Sequence, residues 1–200
     1  MPKNTFSRLP QERRRQILSA ARAEFAAHMF RDSSINRVMA AAGISPGSFY
    51  QYFSDKRDMY LCVLDDCLDE YLKVLEKAGI SPARFFYEKA LTGMTLPGYD
   101  EYVAPETAEI IKNFANGPTE IHRDWVLDCV LKRMVGLDPV AEGIVDAGEI
   151  NPRYIEFLPL FLYISVGVSP VINQYAGGDP ARTLELANLF REVLVRGLRA

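Results

Sequence analysis

The chain has 200 residues, of which 48% are hydrophobic and 24% charged, with a net charge of −3. That length holds one large helical domain or a small domain fused to a larger one, and the composition excludes a largely disordered or low-complexity chain. Charge is unevenly placed: residues 1–60 carry ten Lys/Arg against five Asp/Glu, while residues 61–200 carry thirteen against twenty-one, an asymmetry that charge alone reads equally as a polyanion partner at the N-terminal end with a different task beyond it, or as a solvated basic helix.

Apolar residues recur at helical spacing along most of the chain and no alternating strand pattern stands out, which predicts an all-α fold. The first helix is expected over residues 10–29, with Ile17, Leu18, Ala21 and Phe25 on its buried face and Arg13, Arg14 and Arg22 in solvent. Asp32, Ser33 and Ser34 offer N-cap oxygens for a short second helix that ends at Ala42, with Gly43 suited to a left-handed cap. Ser45 and Pro46 then suit the N-cap and first position of a third helix, which runs to Phe53. Ser54 is expected to cap a long amphipathic helix reaching residue 78, its buried stripe being Met59, Val63, Cys67, Tyr71 and Leu75. Five or so further helices should follow, with breaks near Pro82, Pro97, Pro105, Gly117-Pro118, Gly136 to Pro139, Gly148 to Pro152 and Gly177-Gly178.

The segment 34–53 therefore reads as helix, tight glycine-containing turn, helix: a helix-turn-helix, whose second helix lies in the major groove of DNA while the first crosses the backbone. Ser45 and Ser48 are short donors, and Gly47 leaves room for a phosphate. Tyr50 and Tyr52 can reach phosphates, and Gln51 can pair with an adenine edge. Lys56, at the start of the next helix, is placed as a phosphate clamp. Phe49 and Phe53 belong to the core, and Tyr52 can divide its side chain between core and surface.

The ordered run Ala42-Gly43-Ile44-Ser45-x-Gly47-Ser48-Phe49-Tyr50-x-Tyr52-Phe53-x-x-Lys56, preceded by Arg14-Arg15-Gln16-Ile17-Leu18-x-Ala20-Ala21, Phe25, Ser34-Ile35 and Val38, resembles the tetracycline-repressor (TetR) family over residues 10–60. The resemblance implies an all-helical homodimer with a DNA-binding domain over residues 1–54 and an effector-binding and dimerisation domain over 55–200. It implies a repressor released from a palindromic operator when a ligand tilts the long helix 55–78. By position, it implies Ser34, Ser45, Gly47, Ser48, Tyr50, Gln51, Tyr52 and Lys56 as DNA contacts. Two positions depart from the family pattern: His28-Met29-Phe30 replaces the usual glycine after the first helix, and Met39 stands where a small alanine is usual.

A small apolar or amphipathic ligand is expected in the C-terminal region, where Phe114, His122 and Trp125 are candidate cavity walls. The last two helices, over 154–175 and 180–199, carry wide apolar faces, Leu184, Ala187, Phe190, Val193, Leu194 and Leu198 forming one, and two such helices from each subunit can build a four-helix dimer interface. Residues 157–178 hold no charge and are long enough to cross a bilayer, but Pro159, Pro170, Asn173 and Gln174 favour a buried interface helix over a membrane span. Cys62, Cys67 and Cys129 have no metal-ligand spacing and cannot all pair, and Met1-Pro2-Lys3-Asn4 does not open a signal peptide, so a cytoplasmic protein is expected.

An enzyme is disfavoured, because His28 and His122 stand far apart and no catalytic ordering or phosphate loop accompanies them. Asp65-Asp66 and Asp69-Glu70 read as solvated charge. No catalytic residue, metal or cofactor is expected. The rival readings are a constitutive DNA-binding protein without a ligand and an activator.

Overall fold

The structure, a computed structural model, describes residues 2–79, 103–134, 168, 171–172 and 174–198. Every regular element among them is helical. In chain order these are α1 (Asn4–Ser7), α2 (Gln11–Ala27), α3 (Ile35–Ala41), a 3₁₀ turn (Pro46–Ser48) running into α4 (Phe49–Tyr52), and α5 (Lys56–Lys77). After the undescribed stretch come α6 (Pro105–Ala115), α7 (Thr119–Trp125), a π-helical turn (Val126–Val130) continuing into α8 (Leu131–Met134), and α9 (Pro180–Leu198). The chain divides into two compact units. Residues 2–71 with 103–121 form the first, and the remaining described residues belong to the second.

The first unit is built around α2, α3, α5 and α6. Ile17, Ala21 and Phe25 of α2 are buried as their spacing requires, with Leu18 half-buried at the edge of the stripe. On the part of α5 in this unit the stripe Met59, Val63, Cys67 and Tyr71 is buried, with Tyr60, Leu61, Leu64 and Leu68 widening it, and Leu75, which falls in the second unit, is buried too. A helix apolar over so broad an arc must be covered on more than one side. Met39 fits the core with no exposed surface, so the larger side chain is absorbed between α3 and its neighbours.

The helix ends show where local chemistry decides. Gly43 takes φ +63°, and Ile44 N–H reaches back to Met39 O while Gly43 N–H reaches Ala40 O, closing α3 as a Schellman motif. After α2 the departure from the family's glycine has a visible consequence. His28 is extended, with φ −137°, and the Asn113 side-chain amide of α6 donates 3.0 Å bonds to Phe25 O and Ala26 O instead. A side chain 87 residues downstream thus satisfies carbonyls that α2 leaves open at its end. At the start of α5 the cap is Asp55 rather than the expected Ser54: Asp55 Oδ1 accepts from Asp58 N–H at 2.8 Å, and Asp58 accepts from Ser54 N–H.

Arg22 corrects the expectation of a solvated side chain. It is only 12% exposed, and its guanidinium donates to Asp66 at 2.7 Å, Glu70 at 3.0 Å, Glu106 at 3.0 Å and the Thr107 hydroxyl. The spacing of the α2 stripe places Arg22 beside Ala21 and Phe25 at its border, where only its planar fork can serve acids from both α5 and α6. Asp66 and Glu70 are therefore partners of a buried cation rather than simply solvated charges.

In the second unit, α9 exposes Leu189 and Val193, four residues apart, and Val171 and Tyr175 are exposed as well. Side chains at Leu184, Ala187, Leu194 and Leu198 lie outside the described residues, as does most of the uncharged run 157–178. Among the described residues no helix is long and apolar enough to cross a membrane.

Candidate nucleic-acid interface

The recognition segment is short: the 3₁₀ turn 46–48 and α4 together span seven residues. Pro46 opens it with a preset φ and no N–H to satisfy, and Ser45 precedes it in an extended conformation. The Ser45 hydroxyl does not cap a backbone N–H; it pairs with Ser48 Oγ at 2.9 Å while Ser45 O accepts from Ser48 N–H. Phe49 and Phe53 are fully buried and anchor the segment from below. Tyr50 is 63% exposed and Gln51 is exposed, so the two side chains that follow the anchor project outward. Tyr52 is half-buried against Phe6 and so divides between core and surface as its chemistry allows.

Ser34 is the N-cap of α3, its hydroxyl accepting from Arg37 N–H at 3.4 Å. Its amide is already taken by Glu24 Oε1 at 2.7 Å. The buried Glu24 carboxylate also receives the Arg37 guanidinium, Nε lying 3.0 Å from both oxygens. The Arg37 hydrogen bonds, aided by Ser34 N–H, hold this carboxyl below its ordinary value despite burial. Arg13 performs the matching service at the other end of α3, donating to Ala42 O at 3.3 Å and Gly43 O at 3.2 Å. The polar groups of α2 thus fix both ends of α3, which in turn fixes where the recognition segment begins.

Lys56 differs most from its expected setting. Its ammonium donates to Phe30 O at 2.7 Å, Ser33 O at 3.0 Å and Arg31 O at 3.3 Å, and lies 4.7 Å from the centre of the Phe30 ring. Three carbonyls match the three N–H bonds of an ammonium, so the side chain closes the loop ahead of α3 rather than pointing away from the body. Burial draws its pKa below the ordinary lysine value, with Asp32 and Glu24 opposing that shift.

Of the expected DNA contacts, Gly47, Ser48, Tyr50 and Gln51 lie on the recognition segment, Ser45 immediately precedes it, Tyr52 lies at its buried edge, Ser34 heads the preceding helix, and Lys56 is turned inward. Of the candidate ligand walls, Phe114 is buried on α6 in the first unit, while His122 and Trp125 are buried three residues apart on α7 in the second. Sequence reasoning missed α1, Glu24, Arg37 and Asn113. Phe6, a lone aromatic in a polar run, is the signal that could have located α1.

No group of three or more His, Cys, Asp or Glu is arranged to hold a metal among the described residues. Burial pushes the Cys62 and Cys67 thiols up to about 12, so neither forms a thiolate near neutral pH.

A three-helix head that presents a short, solvent-facing helix from a rigid core is a helix-turn-helix DNA-binding domain. Residues 17–63 match the family model for bacterial regulatory proteins of the tetR family. The transcriptional regulator HbdR of Aromatoleum sp. (strain CIB) is 39% identical over 67 residues, covering 34% of this chain and 29% of that protein. Similarity extends further with two proteins of Mycolicibacterium smegmatis (strain ATCC 700084 / mc(2)155). The transcriptional activator FasR is 27% identical over 70% of this chain and 74% of its own, and the transcriptional repressor KstR2 is 24% identical over 94% and 92%. Residues 17–63 thus carry the domain that marks bacterial regulatory proteins of the tetR family, and the relatives that align with the chain are transcriptional regulators.

Proposed function

We propose that the protein is a homodimeric repressor that binds a palindromic operator and is released by a small apolar or amphipathic ligand. The observation that carries the DNA-reading part is the outward face of the recognition segment, with Tyr50 and Gln51 exposed on a helix whose Phe49 and Phe53 are buried. In this reading Gln51 pairs with a base edge, and Ser45, Ser48 and the Tyr50 hydroxyl reach phosphates or neighbouring edges. Gly47 admits the backbone: a Cβ there would meet nothing within 4 Å, so the surface is open. Ser34 Oγ accepts within the protein and keeps its own proton for a phosphate. Tyr52 contributes its hydroxyl at the rim.

Lys56 enters as the residue that shapes the α3 entry loop, with a direct phosphate contact as the rival role that salt dependence separates. The second subunit docks through the last two helices, where Leu189, Val193, Val171 and Tyr175 leave large apolar side chains in solvent. The buried Phe114, His122 and Trp125 are the proposed ligand walls. α6 supports a coupling role, because it carries Phe114 and also holds α2 through Asn113, Glu106 and Thr107. A ligand that shifts α6 or tilts α5 moves the head, and ligand and DNA then oppose one another by linkage. Repression rests on the likeness to KstR2. The activator FasR aligns as well, so a reporter with the operator placed before and behind a promoter distinguishes the signs.

The test is a selection of random duplex DNA with sequencing of the bound pool. Enrichment of a palindrome with half-sites about one turn apart (roughly 34–36 Å) is expected for a dimer. No enrichment, even after the protein has been unfolded, stripped of small molecules and refolded, would overturn the reading.

A further inference from the structure

The recognition segment has a structural weakness at its C-terminal end. Seven residues are too few for a helix to hold itself, and its last carbonyls have no acceptor role left inside the helix. Each of them is met by the N-terminal segment. Lys3 N–H donates to Tyr52 O at 2.9 Å, the Lys3 ammonium donates to Tyr50 O at 2.7 Å, and the Thr5 hydroxyl donates to Gln51 O. Beneath these bonds Phe6 is 4% exposed, its ring centre 4.9 Å from that of Phe53 and 6.3 Å from that of Tyr52. Three successive carbonyls and the aromatic anchor are thus held by four residues that lie more than forty positions away in sequence.

We propose that residues 3–6 are a clasp that fixes the recognition helix in its reading orientation, making Lys3, Thr5 and Phe6 positioning residues for sequence-specific DNA binding. The inference rests on the DNA-binding function proposed above, and it assigns the clasp a task distinct from touching DNA. The Tyr50 and Gln51 side chains face solvent while the carbonyls of the same two residues face the clasp. The clasp therefore sets the direction of the reading side chains without occupying their surface. A base-edge hydrogen bond needs its donor and acceptor within a few tenths of an ångström, whereas attraction to phosphates tolerates a loosened helix. Loosening the clasp should accordingly reduce discrimination more than overall attraction.

Lys3 offers a sharp test, because its φ of −68° already suits proline. Lys3→Pro deletes both the N–H bond to Tyr52 O and the ammonium bond to Tyr50 O without straining the backbone, and Lys3→Met deletes only the second. Phe6→Ala removes the apolar part of the clasp, with Phe6→Leu in reserve should the alanine variant not fold. Affinity is measured on the selected operator and on random duplex of equal length across a salt series. Amide hydrogen exchange is followed in the free full-length protein.

For Lys3→Pro and Phe6→Ala the operator affinity should fall about tenfold or more while the affinity for random duplex stays within about twofold. Exchange at residues 46–53 should accelerate about tenfold with α2 and α5 unchanged. Lys3→Met should fall between wild type and Lys3→Pro. Equal losses on operator and random DNA, with the salt slope lowered by about one for either Lys3 variant, would make Lys3 a phosphate contact and overturn the proposal. Unchanged exchange at 46–53 would overturn it too. Should the wild type select no operator, the DNA-binding reading fails by itself, and the exchange data alone still decide whether the clasp holds the helix.

Discussion

Two parts of the first compact unit are held in opposite ways. The body formed by α2, α5 and α6 has a continuous apolar core, with Ile17, Ala21, Met59, Val63, Leu64 and Ile110 fully buried, and a shielded guanidinium bridging three acids at its border. The recognition segment has two buried anchors, Phe49 and Phe53, and otherwise relies on hydrogen bonds from residues 3–5 and on α3, whose ends are fixed by Glu24 and Arg13. The contrast teaches that the reading surface contributes little to stability and takes its position from elsewhere. Substitutions in the body should therefore register in unfolding, those at the entry to α3 in both unfolding and binding, and those on the reading face in binding alone.

The largest effect on stability is expected at Arg22. Replacing it by Met leaves Asp66, Glu70 and Glu106 together with no cation among them. Breaking a buried ion pair costs about 3–5 kcal/mol, but these acids reach water, so about 2–3 kcal/mol is the expected loss. In a chain of this size that lowers Tm by roughly 5–10 °C, which calorimetry reads directly. Arg22→Lys should recover only part of it, since an ammonium cannot present the fork that serves α5 and α6 together. A Tm for Arg22→Met within about a degree of wild type would show that the network is incidental to stability.

The same network makes a pH prediction. Burial alone would raise the Glu70 carboxyl, but bonds from Thr107, the Ala104 amide and Arg22 overcome it and hold the group below its ordinary 4.5. Glu24 is lowered in the same direction. A carboxyl held below its unfolded value adds stability that is present above that value and is lost as pH falls through the folded one. Stability should thus be level from neutrality to about pH 5 and decline below about 4.5, and the gap between wild type and Arg22→Met should narrow over the declining range. Urea midpoints across that series check it; a gap independent of pH would remove Glu70 from the account.

What was legible beforehand follows the same division. Periodic burial was readable on α2 and α5, because an apolar stripe at 3.6-residue spacing has one geometric meaning, and Gly43 announced its turn through its own conformational freedom. The helix-turn-helix and its outward residues were readable from the run Ala42 to Lys56. The polar partnerships were not. Nothing local at Asn113 signals that it closes α2, and Arg22 resembles any helical arginine until α5 and α6 bring acids to it. The inward turn of Lys56 was hidden for the same reason, since its acceptors are main-chain carbonyls that no side-chain pattern reports.

Lys56 provides the intermediate test. If its ammonium serves Phe30 O, Arg31 O and Ser33 O when DNA is bound as well, Lys56→Met should cost about 1–2 kcal/mol of stability through carbonyls left without a donor. Affinity for the operator should fall as the entry to α3 loosens, while the slope of log affinity against log salt stays at its wild-type value. A slope reduced by about one, with stability unchanged, would instead restore the phosphate clamp.

The smallest effect on stability belongs to Gln51. Its side chain is exposed and the carbonyl that accepts from Thr5 is kept in the variant, so Gln51→Ala should change unfolding free energy by less than about 0.5 kcal/mol. On the operator it should lose about 1–3 kcal/mol, confined to one base pair in each half-site, with random duplex hardly affected. Binding to a panel of operators, each altered at one pair, locates that position. If Gln51→Ala weakens every member of the panel and random DNA alike, its amide meets the backbone, and base reading passes to Tyr50 and the paired Ser45 and Ser48 hydroxyls. If it also unfolds early, the reading face is not separable from the body, and the contrast between the two parts of the unit does not hold.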